Sequence, residues 1–438
     1  MLFYKMEQPA EAMTHLLAYN RKKLRAMSSR SYRVVSPSTN TSSAPLNSVV
    51  EFRIPGNQMA AFLDNNSCYF RFNVKNNDAG EALTFEGKAG AYGLIKKLEI
   101  LTAGQTIDSI DEYGVLFSCL ADTDSSTTYG GNNGKILYGS SNLPFGDQSV
   151  GAGASKVVCL PLVLNSLANS SKYIPLFSRD NITIRLTLND ITNVGRSTAT
   201  ANDLITNTQI VLDAPELIYN VVELSADAFG AVASSVDNVF QIVSDSYRHT
   251  SSNVSDAASQ THIANLGFAF SSLNRVIIAQ RESANIVVNK CGLGNRCLRG
   301  LVQANLLLNG ASIPERPIKI TATGATALAE TLIADRSLVA FDSLSRVGDG
   351  AGYAAQLPTG ADGANTGAFV LQIDTESMRS ESNDPGIYAG VSTIGSVLQA
   401  QLEYGATSAA AIKLDFFAQY TQLLTLDMNA SQTFIASV

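Results

Sequence analysis

The sequence predicts an all-β fold made of two consecutive antiparallel β-sandwiches, with one amphipathic helix ahead of them. The first observation is length, because 438 residues exceed one sandwich and suit two domains with their connections. The second is an alternation of apolar and polar residues that begins near Val49 and continues in short runs. The third is a strand–turn–strand pattern of the first half that recurs in the second half.

Composition favours a protein whose flanks are covered by neighbours. Hydrophobic residues make up 45% of the chain, whereas charged residues make up only 16%, against roughly 25% in an average globular protein. Charge is depleted in the buried centres of protein interfaces. The net charge of −7 also argues against a body that binds nucleic acid.

The N-terminal segment differs from the rest in pattern and in charge. Residues 8–27 are predicted to form a helix, since their apolar residues share one stripe with Met6. No Asp or Glu occurs between Ala12 and Val50, while six Lys or Arg residues do. The basic arm and the acidic body are therefore expected to face different surroundings. Residues 36–48, rich in Ser, Thr and Pro, are predicted to be an extended linker.

The strands of the first half follow as β-branched and aromatic runs bounded by turn residues. A short helix is predicted from Ile107 to Ala121, and the last run is predicted to break at Pro215. The predicted strands are Val49–Ile54, Cys68–Val74, Leu94–Leu101, Val157–Leu164, Ile182–Leu188 and Ile210–Leu224.

The second half repeats this order. Leu94–Leu101 leads into Gly104 and Ile107 as Leu301–Leu308 leads into Gly310 and Ile313. Leu398–Tyr404 and Ile412–Leu426 match the last two runs of the first half, although any two sandwich domains share some of this pattern. The boundary is expected near Asp227–Ser235. The predicted organisation is a helix and basic arm over residues 1–45, a first sandwich over 46–228 and a second over 229–438.

No residue pattern predicts catalysis, a cofactor or a metal. The histidines, His15, His249 and His262, lack the spacing of paired ligands. Cys291 and Cys297 are too far apart for a zinc knuckle and have no second pair, and an odd cysteine count of five gives no disulfide framework. Asp122 and Asp124 begin like a calcium loop that lacks its glycine and final glutamate. The chain is expected to be a structural protein and not an enzyme.

Together these features resemble the double jelly-roll major capsid proteins of icosahedral DNA viruses. The resemblance rests on the order of basic helix, linker and two sandwiches, on the strand–turn–helix Leu98–Leu120, and on Tyr173–Leu176 before a strand. It implies two jelly rolls per chain and a homotrimer that forms a pseudo-hexagonal tile. It also implies a place in the virion, minor and vertex capsid proteins as partners, and outer tower loops at Asp122–Ser155 and Ala340–Gly367.

The arm is the candidate functional segment. Its apolar stripe must be buried against something, and we expect it on the inner face of the shell. The stripe could contact the sandwich base, a neighbouring subunit or an inner membrane, and the cations could contact the genome. The candidate residues are Met6, Met13, Leu17, Arg21, Lys22, Lys23, Leu24, Arg25 and Met27.

Three other functions stay open at this level. A small RNA virus could use one jelly roll and a protruding domain, although its arm is often more basic. An adhesive or sugar-binding sandwich is the second, against which the chain has no Trp. An enzyme is the third. Because no apolar run reaches 18 residues and no signal-peptide pattern is present, assembly in the interior of the host cell is expected.

Overall fold

The structure, a computed structural model, describes most of the chain from Ser29 onward. The described residues are 29–87, 89–124, 134–139, 149–170, 172–197, 205–255, 260–283, 286, 293, 296–335, 367–376, 390–405, 411–429 and 434–437.

The first half forms two facing sheets and a small third one. One sheet has the order β1-β13-β4, with β9 and β10 both paired to β4 and β2 paired to β13, and the other has the order β3-β11-β6-β7. A short sheet, β12-β5-β8, lies beside them. The strands are β1 (Ser29–Pro37), β2 (Ser43–Pro45), β3 (Val49–Ile54), β4 (Ala61–Asn76), β5 (Leu83–Phe85), β6 (Ile95–Thr102), β7 (Gln105–Asp111), β8 (Ser149–Val150), β9 (Ser155–Pro161), β10 (Ile174–Pro175), β11 (Ile182–Leu188), β12 (Gly195–Ser197) and β13 (Ile210–Leu224).

The second half forms another pair of sheets. Their orders are β14-β21-β16-β19, with β22 paired to β21, and β15-β20-β17-β18. All described strand pairings in both halves are antiparallel. The strands are β14 (Val239–Val254), β15 (Thr261–Asn265), β16 (Leu273–Glu282), β17 (Leu301–Leu308), β18 (Ala311–Lys319), β19 (Leu371–Asp374), β20 (Leu398–Tyr404), β21 (Ile412–Asp427) and β22 (Phe434–Ser437).

Both halves have jelly-roll topology. Each half has eight principal strands, which are β1, β3, β4, β6, β7, β9, β11 and β13 in the first half and β14–β21 in the second. When they are counted along the chain, one sheet of each half joins the first, eighth, third and sixth strands, and the other joins the second, seventh, fourth and fifth. The turns between the fourth and fifth strands also match. Ala103-Gly104 and Asn309-Gly310 are two-residue turns in which both residues have positive φ, as a tight hairpin requires. The predicted repeat is confirmed at the level of strand order.

Each sandwich has its core between its two sheets. Side chains alternate along β11, so that Ile182, Ile184 and Leu186 are buried while the residues between them are half-buried. The Phe52 and Phe70 rings, one from each sheet of the first half, lie 5.2 Å apart between centroids. In the second half, the Phe270 and Tyr420 rings stack at 4.0 Å.

Short helices lie in the connections. In α4, the Ser225 hydroxyl accepts a hydrogen bond from the Ala228 amide and caps the helix. Phe229 of α4 packs against Phe62 and Phe177 of the first half, and Phe240 of β14 contacts both of those rings. The helices are α1 (Tyr113–Asp124), α2 (Gly134–Tyr138), α3 (Ile191–Val194), α4 (Ala226–Ser235) and α5 (Ala325–Ala334), with a 3₁₀ turn at Gly90–Leu94.

Two local predictions are wrong. The helix predicted from Ile107 is strand β7 up to Asp111, and α1 begins at Tyr113. Strand β13 continues through Pro215, because a register shift between Asp213 and Glu216 accommodates the proline.

The predicted arm and linker also need correction. Residues Ser29–Pro37 form β1, which pairs with β13 over its whole length, and Ser43–Pro45 pairs with β13 as β2. The first jelly roll therefore begins at Ser29 and not at residue 46. β1 is mostly exposed, so its backbone hydrogen bonds, and not an apolar pattern, hold it in the sheet.

We predict that removal of residues 1–28 leaves the thermal unfolding midpoint unchanged, because every described strand remains. Removal of residues 1–37 also deletes β1, which strips β13 of a partner strand and should lower the midpoint by several degrees. Circular dichroism melting of the two truncated chains makes the comparison. Equal midpoints would show that β1 is dispensable for the sandwich.

Candidate functional site

The sequence-predicted site residues lie outside the described part of the chain. All nine, from Met6 to Met27, precede Ser29. Of the predicted tower loops, α1 ends at Asp124 and α2 spans Gly134–Tyr138, while residues 340–366 are not described. The arm on the inner face therefore stays a prediction.

The described residues instead bring polar and charged groups together between the two halves. We call this contact the seam. It joins β7, α1 and α3 of the first half to the β14-β21-β16-β19 sheet of the second half. Arg281, Lys413 and Asp415 lie on one face of that sheet, since Arg281 is opposite Lys413, and Asp415 is two residues further along the strand.

Arg281 is the centre of the seam and is fully buried. Its Nη2 atom lies 2.7 Å from Asp415 Oδ2, and its Nε donates to the same oxygen at 2.9 Å. Across the seam, Nη2 lies 3.5 Å from Glu112 Oε2. Lys413 Nζ then joins Glu112 Oε1 at 2.9 Å, and His249 Nε2 lies 3.0 Å from Asp415 Oδ1.

The electrostatics favour ionised carboxylates at this point. Burial by itself raises the pKa of Asp415, but the Arg281 guanidinium, with His249 and Lys413, outweighs it and holds that pKa well below its usual range. Burial likewise raises the pKa of Glu112, but Arg281 and Lys413 outweigh it and lower the pKa overall. Two cations and two carboxylates thus neutralise each other inside the protein.

A second buried ion pair joins α1 to the second half. Arg296, also fully buried, pairs with Asp122 through Nη2, which lies 3.3 Å from the Ser118 hydroxyl. One residue along the helix, Thr123 accepts a hydrogen bond from Gln372 Nε2 at 3.4 Å. Because Asp122 already pairs with a guanidinium, the calcium loop considered from the sequence lacks its first ligand.

Asp108 makes the third contact and differs from the others because no cation among the described residues pairs with it. The Ser246 hydroxyl donates to its Oδ1 atom, and the Ser166 amide donates to Oδ2 at 2.8 Å. Burial raises the pKa of Asp108, and these hydrogen bonds only partly offset that effect. The serine and aspartate come from opposite halves, so this hydrogen bond also crosses the seam.

Sequence reasoning missed the seam because its partners are far apart along the chain. Arg281 and Glu112 are separated by 169 residues, and Arg296 and Asp122 by 174. The sequence signal that could have indicated the seam is a charged residue inside an otherwise apolar strand, such as Asp415 in β21. Such a residue on a buried strand requires a partner.

Two outer sheet faces also carry recognisable features. On the first sheet of the first half, a shallow cavity of about 270 Å³ is lined by Tyr69, Leu137, Cys159 and Pro161, among others. On the other sheet, Arg185 pairs with Glu51 at 2.7 Å beside a second shallow cavity of about 260 Å³.

The remaining chemically notable residues form ordinary structural contacts. His262 lies 2.9 Å from the Ser252 hydroxyl. Cys297 is buried, and burial raises the pKa of its thiol to about 12. In the described part of the chain, no group of three or more His, Cys, Asp or Glu residues could hold a metal ion. Nor does any described helix have the length and apolarity to cross a membrane.

Comparison with known proteins identifies the fold. No family model matches the chain, and no curated protein sequence matches it. Among solved structures, the PBCV-1 virus capsid is similar with a TM-score of 0.64, at 11% identity over 96% of this chain and 100% of that one. The Sputnik virophage structure gives 0.59 at 12% identity, covering 99% and 93% of the two chains. The Faustovirus major capsid protein gives 0.59 at 10% identity, covering 94% and 92%.

The fold is therefore that of the double jelly-roll capsid proteins, over nearly the whole length of each chain. The resemblance inferred from the sequence is confirmed for the fold.

The seam leads to a prediction about stability. Arg281→Met should lower the free energy of unfolding by about 3–5 kcal/mol, because Asp415 and Glu112 would remain buried without their shared cation. Arg185→Met is the matched control, since it removes an arginine from a partly exposed pair with Glu51 and should cost only about 0–1 kcal/mol. Urea denaturation measures both, and equal losses would show that the seam pair is no more important than a surface pair.

The same network predicts how stability depends on pH. Glu112 and Asp415 have depressed pKa values in the folded protein, so their contribution is present above their unfolded pKa values, about 4, and is lost as the pH falls below them. The raised pKa of Asp108 acts in the opposite direction. Thermal melting between pH 6 and pH 3 should show a smaller acid-induced drop in Arg281→Met than in the unaltered chain. Identical drops would mean that other carboxylates dominate.

Proposed function

We propose that this chain is the major capsid protein of an icosahedral DNA virus and self-assembles through homotrimers. The observation that carries the proposal is the pair of jelly rolls with identical strand order, held together by a buried seam. Three copies supply six similar sandwiches, which is the number that a pseudo-hexagonal tile needs. The similarity to the PBCV-1 capsid and to the Faustovirus major capsid protein supports the same function.

The role is structural. The seam charges are buried and paired with one another, so they stabilise the relative position of the halves and offer no open site for a substrate. The RNA-virus alternative, one jelly roll with a protruding domain, is disfavoured because both halves have the same two-sheet topology. No specific observation favours an adhesive function.

The proposal extends to location and partners. We place the protein in the virion shell, after assembly in the interior of the host cell, in contact with its own copies and with minor and vertex capsid proteins. The arm that precedes Ser29 would lie on the inner side of the shell. Its apolar stripe would pack on protein or on an inner membrane, and its cations would contact a membrane or the genome.

We predict that the recombinant full-length chain forms trimers that associate into shells or sheets. The chain without residues 1–28 should still form trimers but should fail to assemble further, because the arm supplies a contact between tiles or with the interior. Light scattering gives the mass, and negative-stain electron microscopy shows the assemblies. A full-length chain that stays a folded monomer at high concentration would refute the proposed function.

Two sets of substitutions separate the possible contacts of the arm. Replacement of Met13, Leu17 and Leu24 by Ser removes the apolar stripe, and replacement of Arg21, Lys22, Lys23 and Arg25 by Glu reverses the charge. If apolar burial carries the contact, only the first set should block assembly. If electrostatic attraction carries it, only the second should, and raised salt should mimic it. Normal assembly of both variants would show that the arm does not contribute to assembly.

A further inference from the structure

A second group of polar residues meets at the seam, on the face of the β14-β21 pair opposite to the buried ion pairs. Side chains alternate between the two faces of a strand, and β14 pairs with β21 over its whole length without a register shift. Phe240, Ser244 and Ser246 therefore lie on one face of β14. Phe240 contacts the Phe62 ring of the first half, and the Ser246 hydroxyl donates to Asp108 of the first half. Ser244 lies between these two contacts and is thus also at the seam.

Several polar atoms at this point are buried and make no hydrogen bond. Gln422 of β21 is directly opposite Ser244. The two residues are 1% and 3% exposed. In the described part of the chain, neither the Oε1 and Nε2 atoms of Gln422 nor the Oγ atom of Ser244 has a hydrogen-bond partner. We call Asp108, Ser244, Ser246 and Gln422 the polar junction.

The neighbouring positions show that polar residues are not what burial alone would favour here. The next pair on the same face, Ile242 and Leu424, is apolar and buried. A buried amide or hydroxyl that makes no hydrogen bond raises the free energy of the folded state. Buried polar groups in folded proteins are almost always paired, either with protein atoms or with ordered water. The unpaired atoms of Ser244 and Gln422 therefore point to a bound molecule.

The spacing within the polar junction suits a water molecule. Ser244 and Ser246 are two residues apart on an extended strand, so their side chains are about 6.6 Å apart, which is too far for a direct hydrogen bond. Two hydrogen bonds of about 2.8 Å through one water span about 5.6 Å. A buried water needs two to four polar partners. The Ser246 hydroxyl still has lone pairs to accept with, although it donates to Asp108.

We propose that the polar junction is a binding site for ordered water, held between Ser244, Ser246 and Gln422. Water accepts a hydrogen bond from the Gln422 amide nitrogen, donates to the Ser246 oxygen and bonds to the Ser244 hydroxyl. Because Ser246 donates in turn to Asp108 of β7, the water extends a chain of hydrogen bonds from β21 into the first half. The seam then has buried ion pairs on one face of the sheet and a hydrated contact on the other.

Water fits the polar junction better than an ion does. The Asp108 carboxylate already accepts from the Ser246 hydroxyl and from the Ser166 amide. A metal cation would meet the N–H groups of Gln422, which are donors and cannot coordinate it. An anion would lie close to the carboxylate of Asp108. A neutral molecule that both donates and accepts matches the groups that are present.

Gln422→Met tests whether the amide is hydrated, because Met has a similar length and no amide. If water satisfies the amide, the substitution removes a partner of that water, and the thermal unfolding midpoint should fall by roughly 1–3 °C. If the amide is dry, the substitution removes an unpaired polar group and the midpoint should rise, which would overturn the inference. Gln241→Met, at an exposed position of β14, is the matched control and should leave the midpoint unchanged.

A double variant tests whether the two residues hold the same water. Loss of either partner releases a shared water, so Ser244→Ala combined with Gln422→Met should lower the midpoint little further than the more damaging single change does. Falls that simply add would contradict a shared site. The midpoint of the unaltered chain should also be equal in sodium, potassium and choline chloride with a chelator present. Dependence on the metal cation would show that an ion, and not water, occupies the junction.

A density map gives the direct measurement and needs no substitution. The unaltered full-length protein is imaged by crystallography or cryo-electron microscopy at a resolution that shows ordered water. A peak within about 3 Å of both the Ser244 hydroxyl and the Gln422 amide supports the site. A map that shows ordered water elsewhere in the interior and none here would overturn it, even if the variants failed to fold. The result is independent of the proposed function, because the site lies within one chain.

Discussion

The burial of Arg281 between two carboxylates is the constraint on which the rest of the architecture depends. A guanidinium with no exposed surface must have its charge compensated within a few ångströms. Asp415 provides one partner from the same sheet, but Glu112 comes from the other half of the chain. The two jelly rolls can therefore reach their lowest free energy only in the arrangement that brings Glu112 to this position. A small rotation of one half would leave charges buried and unpaired.

The other seam contacts point the same way. Arg296 is compensated by Asp122, and Asp108 by hydroxyl and amide donors. The aromatic cluster of Phe62, Phe177 and Phe240 adds apolar contact near the connecting helix α4. Because hydrogen bonds and ion pairs depend on geometry more than apolar contacts do, the charged groups specify the orientation while the rings contribute burial. A chain that presents two sandwiches in one fixed relation is suited to a closed ring.

Much of the fold could be predicted from local sequence. The boundaries of β3, β11, β17 and β20 are those that alternation and turn residues predict, because each of these strands has one face in the core. β1 could not be predicted in this way, since both of its faces are mostly exposed and its register comes from β13, almost 190 residues away. β7 was mistaken for a helix because Ile107 and Ile110 have helical spacing, whereas pairing with β6 decides its structure.

The candidate site was harder still to predict. No local pattern connects Glu112 with Arg281, so the seam requires the tertiary structure. The arm residues before Ser29, in contrast, were predicted from their charge and periodicity, which are properties of the sequence alone. The repeat was the most useful clue, because the equivalence of the two halves, once expressed as strand order, identifies which surfaces correspond.

The two corresponding faces differ in how far their ion pairs are buried: Arg281 and Asp415 have no exposed side-chain surface, whereas Arg71 and Glu216 on the equivalent face of the first half are partly exposed. Burying an ion pair requires both partners to lose their water, and the penalty is recovered only when the geometry is already correct. Within one chain, the connection through α4 holds the halves close together, so the partners of Arg281 are always near. A partly exposed pair keeps much of its hydration, so Arg71 and Glu216 need no partner from the other half.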